Sequence, residues 1–423
     1  MGPFVRFAAF ALSLLLTETA AFAEDFALQD GDTVVFLGDS ITAARSYGKL
    51  IENYTLLRFP DRKVRFINVG QGGDTAAGGL ARLQGDVFDN GATVLTVAFG
   101  INDIGWGLRA DAEHRKTHTD AIAEIVRRCR DRGVRCYICS AAATASDPDK
   151  SENEFFKLMC DDDMQIARDN GGFAIDVQGT MRQIQKRMKE VNAKIDDKSK
   201  QHTLHAPDGV HLNDLGQVAM AYAILKGLGA PADVSSASID ADGAKVLAAK
   251  GCEVSDARGS PDRLEFTRLD AGLPLNGETF FALHFRWVPI PDELNRYLLT
   301  AKSLRPGKYT VSADGRQVGT WSAEELGQGV NLASSTPDPW LPGGPWSAQA
   351  NILHSLTEAR DKLDMARLLA TAHLEGREVP EQLSPEVRAA NARLEEMQRI
   401  VARPRPYRFV IEPAPAGDSA AAK

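Results

Sequence analysis

Between Asp32 and Gly229 the chain alternates short β-branched runs with longer amphipathic ones, and three glycine-bearing turns each follow directly on such a run. Thr33 to Leu37, Lys63 to Asn68, Thr93 to Phe99, Val134 to Ser140 and Gly172 to Asp176 have the composition of buried strands. Tyr47 to Arg58, Thr117 to Arg130, Ser151 to Asp169 and Met181 to Ala193 have helical spacing. This alternation predicts an α/β fold with a parallel sheet covered on both faces. Ligands of such sheets gather beyond the carboxyl ends of the strands. Gly38-Asp39-Ser40, Gly70 to Thr75 and Gly100-Ile101-Asn102-Asp103 follow the first three strands, so they should meet on one rim.

With a fourth block, Asp208-Gly209-Val210-His211, these turns supply every part that serine-based ester cleavage needs. A serine nucleophile requires a base, an acid that orients the base, and donors for the oxyanion. Ser40 is the candidate nucleophile, although a serine just past a strand also suits a helix N-cap. His211 is the candidate base and Asp208, three residues before it, the candidate orienter; an Asp-Gly turn is the plainer reading of that pair. His202 and His205 have no acid at that spacing. The oxyanion donors expected are the backbone N–H groups of Ser40 and Gly73 and the side-chain amide of Asn102. Gly70 to Gly73 otherwise reads as a strand-to-helix turn.

No Gly-x-Ser-x-Gly elbow surrounds Ser40, which argues against the α/β-hydrolase fold. At the four blocks the chain resembles the SGNH hydrolases, also called GDSL esterases/lipases. The resemblance runs over residues 30 to 225 and includes Gly79-Leu80-Ala81-Arg82-Leu83, similar to a segment after the second block in many members. It implies a flavodoxin-like three-layer sandwich, and functional roles for Ser40, Gly73, Asn102 and His211. Leu212 departs from the family, where proline often follows the histidine.

The remaining features bound the reading. Residues 1–23 carry Arg6, an apolar run from Phe7 to Leu16, and Ala21 and Ala23 before Glu24, the pattern of a cleavable secretory signal. Export to the periplasm or cell exterior, with no integral membrane segment, is expected. A formal net charge of −8 gives no reason to expect nucleic acid as a partner. The five cysteines are too few and irregular for a disulfide scaffold, though two could pair; Cys136-x-x-Cys139 reads as part of a buried strand rather than a redox or zinc site. His114 and His118, four apart near Asp111, read as surface residues more readily than as metal ligands, and Asp161-Asp162-Asp163 lacks calcium-loop spacing. The glycines of Gly70 to Gly79 lack a phosphate-loop lysine. No metal or organic cofactor is required.

After Pro231 the character changes, giving a reading of 24–230 as the hydrolase domain and 235–423 as a β-rich accessory domain whose strands are expected to be antiparallel. Leu264 to Leu269, Thr279 to Trp287, Tyr309 to Ala313 and Gln317 to Trp321 read as strands, with a hairpin at Asp314-Gly315. Helical patterns Ala348 to His373 and Pro385 to Ala402 form an excursion over roughly 345–403 before a returning strand, Tyr407 to Glu412. The tail from Pro413 reads as disordered. The expected activity is hydrolysis of carboxylic esters by an exported enzyme through a serine acyl-enzyme, foremost O-deacetylation of a carbohydrate. Lysophospholipid, aryl ester and thioester substrates, or acyl transfer to an acceptor other than water, need the same residues. A glycan- or protein-binding module on a hydrolase scaffold, using Trp287, Trp321, Trp340 or Trp346, is the reading of a different class.

Overall fold

The computed structural model describes residues 26–151, 154–277, 281–338, 340–374 and 383–415; the secretory-signal pattern and the end of the Ala/Pro-rich tail lie outside them. The first part of the chain runs β1 (Thr33–Gly38), α1 (Ser40–Ala43), α2 (Ser46–Arg58), β2 (Arg65–Asn68), α3 (Ala76–Ala81), β3 (Val94–Ala98), α4 (Ala112–Arg130), β4 (Arg135–Cys139), α5 (Phe155–Asp169), β5 (Phe173–Ile175), α6 (Val177–Asn192) and α7 (Asp214–Gly227). Its strands pair in parallel in the order β2-β1-β3-β4-β5, the flavodoxin-like arrangement. β1 is buried along its whole length. Side chains alternate across it: Val34 and Phe36 join the apolar cluster that includes α2, α6 and α7, and Val35 and Leu37 join that of α4. The same alternation sends Cys136 and Cys139 to opposite faces. All five cysteines are free, and burial pushes the Cys139 thiol up to about 12.

The second part comprises β6 (Asp233–Asp240), β7 (Lys245–Lys250), β8 (Cys252–Ser260), β9 (Arg263–Asp270), α8 (Ile290–Glu293), β10 (Arg296–Lys302), β11 (Lys308–Ala313), β12 (Arg316–Ser322), α9 (Ala323–Gln328), β13 (Val330–Asn331), α10 (Pro345–Leu374), α11 (Leu383–Ala402) and β14 (Tyr407–Pro413). They build sheets of order β13-β10-β6-β7 and β12-β11-β14-β9-β8. The returning strand β14 occupies the centre of its sheet, between β11 and β9. The hairpin turn holds Asp314 at φ 48° and Gly315 at φ 78°, as a type I′ turn requires.

Two expectations fail here. Phe281–Arg286, read as part of a strand, is a 3₁₀ helix, and Thr279 and Phe280 lie outside the described residues. The alternating Phe281, Leu283, Phe285 and Trp287 mimic strand periodicity, but Phe281 and Phe285 meet edge-on at 5.3 Å between ring centres, a separation only a helical turn allows. The β-rich part is also not wholly antiparallel, because β6 and β10 pair in parallel.

α10 and α11 lie against α2, adding a helical cover to the first part. The contact is polar and buried. Glu52 of α2 pairs with Arg360 and accepts a bond from Gln398 Nε2 at 2.8 Å. Thr357 Oγ1 donates to Asn53 Oδ1 at 2.6 Å, and Arg45 and Lys49 pair with Asp361 and Glu358. At the other end of α2, the buried Arg58 guanidinium donates to the carbonyls of Asp233 (2.6 Å) and Leu294 (2.7 Å). One apolar cluster continues from Phe36 and Tyr54 through to Tyr297, Trp346 and Phe409. Among the described residues no helix is long and apolar enough to cross a membrane.

Candidate active site

Because β1, β2 and β3 are neighbours, the turns at their carboxyl ends converge on one edge of the sheet. Asp39 caps α1, accepting from Ile41 N at 2.9 Å, and Ser40 is the first residue of that helix. Asp39 is buried, which raises its carboxyl to about 6 against the opposing pull of the Ile41 bond. The second turn packs tightly on α1: a Cβ on Gly70 would stand 2.4 Å from Ala43 N. Gly73 needs its missing Cβ for another reason, its φ of +76° in open space.

The fourth block closes the site from the loop before α7. His211 Nε2 lies 2.9 Å from Ser40 Oγ, and His211 Nδ1 lies 2.7 Å from Asp208 Oδ2. The other Asp208 oxygen accepts from Val210 N (2.8 Å) and His211 N (2.9 Å). Those bonds, the Val210 bond foremost, hold the carboxyl down at about 2. Asp208 therefore stays anionic at neutral pH. Gly209 at φ +72° permits the tight turn, and Asn213 caps α7 by accepting from Gly216 N at 2.9 Å. The rival histidines are occupied elsewhere: His205 is buried with Nε2 2.6 Å from Ala143 O, and His202 packs on Trp287.

Asn102, in the third turn, reaches across to the second. Its Nδ2 donates to Asp74 O at 3.0 Å, and its Oδ1 accepts from Trp106 Nε1 at 2.9 Å. Trp106 is not a core residue. It is 48 % exposed, packs edge-on against His211 with ring centres 5.6 Å apart, and takes φ 58° between Gly105 and Gly107, also at positive φ. That backbone costs a residue with a Cβ about 1–2 kcal/mol.

Beneath these turns lies support that sequence reasoning missed. Asp103 Oδ1 accepts from Ala76 N, the first residue of α3, at 3.0 Å and lies 3.0 Å from His118 Nδ1. His118 Nε2 lies 2.9 Å from Asp163. Burial alone would lower the His118 pKa, but the two carboxylates outweigh it and raise it to about 10, so an imidazolium links α4, α5 and the third turn. The clue was periodicity: His118 falls in register with the buried Ala121, Ile122 and Ile125. It is thus neither a surface residue nor a partner of His114, which pairs with Asp111. Arg82, within the segment similar to other SGNH members, bonds Asp74 (2.8 Å) and Val69 O (2.6 Å) and reaches Gly38 O at 3.4 Å, tying the first two turns together.

The four tryptophans of the second part form no common platform: Trp287 and Trp346 are buried, Trp321 is half-buried and Trp340 is exposed. That part does share a cleft with the first. An open cleft of about 540 Å³ is lined by Ser46 and Lys49 of α2, by Asp214 and Gln217 of α7, and by Phe281 and His354.

Residues 36–219 match the model of the GDSL-like lipase/acylhydrolase family. This region is a GDSL-like hydrolase domain. The chain is accordingly a carboxylic-ester hydrolase. Among solved structures it is similar to a gut microbial diltiazem-metabolizing enzyme, at 25 % identity and a TM-score of 0.74, over 92 % of this chain and 98 % of that one. That likeness therefore spans the GDSL domain and the β-rich part together. An α/β hydrolase from the metagenome of Lake Arreo, Spain, matches 48 % of this chain and 98 % of its own at 23 % identity and a TM-score of 0.41. An acetylxylan esterase from Geobacillus stearothermophilus matches 48 % of this chain and 96 % of its own at 18 % identity and a TM-score of 0.41. No curated protein matches the sequence.

Proposed function

We propose that this chain is an exported serine esterase that removes short acyl groups, acetyl foremost, from a carbohydrate. The observation that carries the reading is the unbroken chain of hydrogen bonds Asp208–His211–Ser40. Asp208 holds the proton on Nδ1, leaving Nε2 to take the Ser40 proton as Oγ attacks the ester carbonyl. The N–H groups of Ser40 and Gly73 and the Asn102 amide receive the oxyanion, each donor contributing roughly 3–4 kcal/mol to the transition state. The imidazolium then protonates the departing alcohol. Water repeats the cycle on the acyl-enzyme and regenerates Ser40.

Two features favour a short acyl group on a large alcohol. The void lined by Asp39, Ile41, Ile101 and Val210, chain neighbours of Ser40, Asn102 and His211, measures only about 10 Å³ and has no room for a long acyl chain. Asp208 and His211 are each 37 % exposed at their side chains, so the site is open enough to accept a polymer. Export rests on the pattern of residues 1–23. A broad small-molecule esterase is the second reading, favoured by the structural neighbour that metabolises diltiazem and matches both parts of the chain.

The test is acid release from acetylated polysaccharides, from an ester series of increasing acyl length, and from diltiazem, by wild type and Ser40→Ala. Acetyl-selective turnover on polysaccharide, reduced on the order of 10⁴-fold or more in the variant, is expected. A preference for long acyl chains, or turnover of the drug but of no polysaccharide, would overturn the carbohydrate reading. Turnover that survives in the variant would overturn the role given to Ser40.

A further inference from the structure

We propose that Trp106 is the platform for the ring of the leaving alcohol, and that its indole N–H sets the direction of the Asn102 amide. The inference rests on the proposed function only in taking Ser40 as nucleophile, His211 as the proton carrier and Asn102 as an oxyanion donor.

The backbone supplies the first argument. Gly105, Trp106 and Gly107 follow one another at φ 52°, 58° and 93°, a left-handed turn that the two glycines enter freely and the tryptophan does not. Such a residue persists where its surroundings over-determine it, and these cluster at functional sites. Burial does not explain Trp106, since half its surface is open and its neighbour Leu108 is 93 % exposed.

Contacts supply the second. A primary amide presents its oxygen and its NH₂ group on opposite sides. With Oδ1 of Asn102 held by the indole at 2.9 Å, Nδ2 must face away, where one hydrogen goes to Asp74 O at 3.0 Å. The second hydrogen is left for the oxyanion. Removing the indole N–H frees the amide to turn, which weakens transition-state binding more than ground-state binding.

The third argument comes from the direction of the proton. His211 hands its proton to the departing oxygen, so the alcohol must leave on the His211 side of the tetrahedral carbon. The indole stands edge-on to His211, 5.6 Å between ring centres, with Leu108 two residues further along the chain. A saccharide, alicyclic or aromatic ring on that oxygen meets an exposed aromatic surface, whereas a two-carbon alcohol is too short to cover it. The ligand class is therefore an ester of a ring-bearing alcohol.

The experiment compares wild type, Trp106→Ala and Trp106→Phe on ethyl acetate, cyclohexyl acetate and acetylated methyl xyloside, with thermal melts as a check on folding. Trp106→Ala is expected to lose roughly 10–100-fold more kcat/KM on the two ring esters than on ethyl acetate, the excess lying in KM. Trp106→Phe keeps an aromatic face without a donor. It is expected to hold the ring-ester KM within about threefold while lowering kcat on all three substrates by about 5–10-fold. Equal losses on ring and acyclic esters in Trp106→Ala would overturn the platform, and an undiminished kcat in Trp106→Phe would overturn the amide anchor. Wild-type turnover of cyclohexyl acetate but not of the xyloside would sink the carbohydrate reading while leaving the platform standing.

Discussion

At the scale of single residues the site separates groups by the charge each must carry. Asp208 accepts two backbone N–H groups and one imidazole N–H, and stays ionised to about pH 2. Replacing it with Asn preserves the shape but offers Nδ1 a donor, favouring the wrong tautomer. A fall in kcat on the order of 10⁴-fold, with KM little changed, is expected from steady-state kinetics on an acetyl ester. Asn102→Ala removes one oxyanion donor, and a loss of about 10²–10³-fold in kcat is expected. Asp39 shows the opposite balance, since burial lifts its pKa from 3.8 to about 6. The folded chain thus binds this proton more tightly than the unfolded chain, and the contribution of Asp39 to stability falls as pH rises from about 4 through 6. Asp39→Asn, which keeps a capping oxygen, should gain about 1–3 kcal/mol relative to wild type between pH 4 and pH 7, read from urea unfolding at each pH. An increment independent of pH would refute the assignment.

At the scale of elements, the third turn is fixed from below. His118 on α4, Asp163 on α5 and Asp103 of the turn are all buried, and the histidine is the cation between two carboxylates. Removing it leaves both negative charges in a low-dielectric interior, where water cannot compensate them. His118→Ala is expected to destabilise the fold by about 3–5 kcal/mol. The accompanying fall in activity should be recovered in part when the melt is raised by stabilising solutes, because no reacting atom is removed. An unchanged unfolding midpoint would show that the linkage contributes nothing. The helix was legible from apolar periodicity, but the role of His118 was not, since Asp103 and Asp163 come from segments 15 residues before and 45 residues after it in the sequence.

At the scale of the whole molecule, the boundary read at residues 230–235 is crossed by α2. Glu52, Asn53 and Arg58 of that helix are buried and take their partners from Arg360, Gln398, Thr357, Asp233 and Leu294. Unpairing a buried ion costs far more than the pair gains, so α2 is expected to depend on the later residues. The full chain should melt in one calorimetric transition, and Arg360→Ala should lower it by the equivalent of about 3–5 kcal/mol. Two resolved transitions, with only the later part affected by the substitution, would overturn this coupling.

What is local is legible in the residues alone. Apolar runs set the five parallel strands, and the turns that follow them carry Ser40, Gly73 and Asn102, because parallel strands place their following loops on one rim. Spacing within one loop set Asp208 against His211. The reading names no strand at β6, β7, β8, β10 or β13: β8 is polar and exposed, β7 is apolar in sequence yet exposed throughout, β13 has two residues, and the alternating burial of β6 and β10 is set by the partners they pack on. Phe281–Arg286 carries alternating aromatics whose strand-like signal its packing does not obey. Packing alone sets the approach of His211 to Ser40 across 171 residues, the charge on His118, and the cover of α10 and α11 over α2. Each of these depends on burial or on partners distant in the chain. Neither quantity is written in any one segment; both arise when the segments pack.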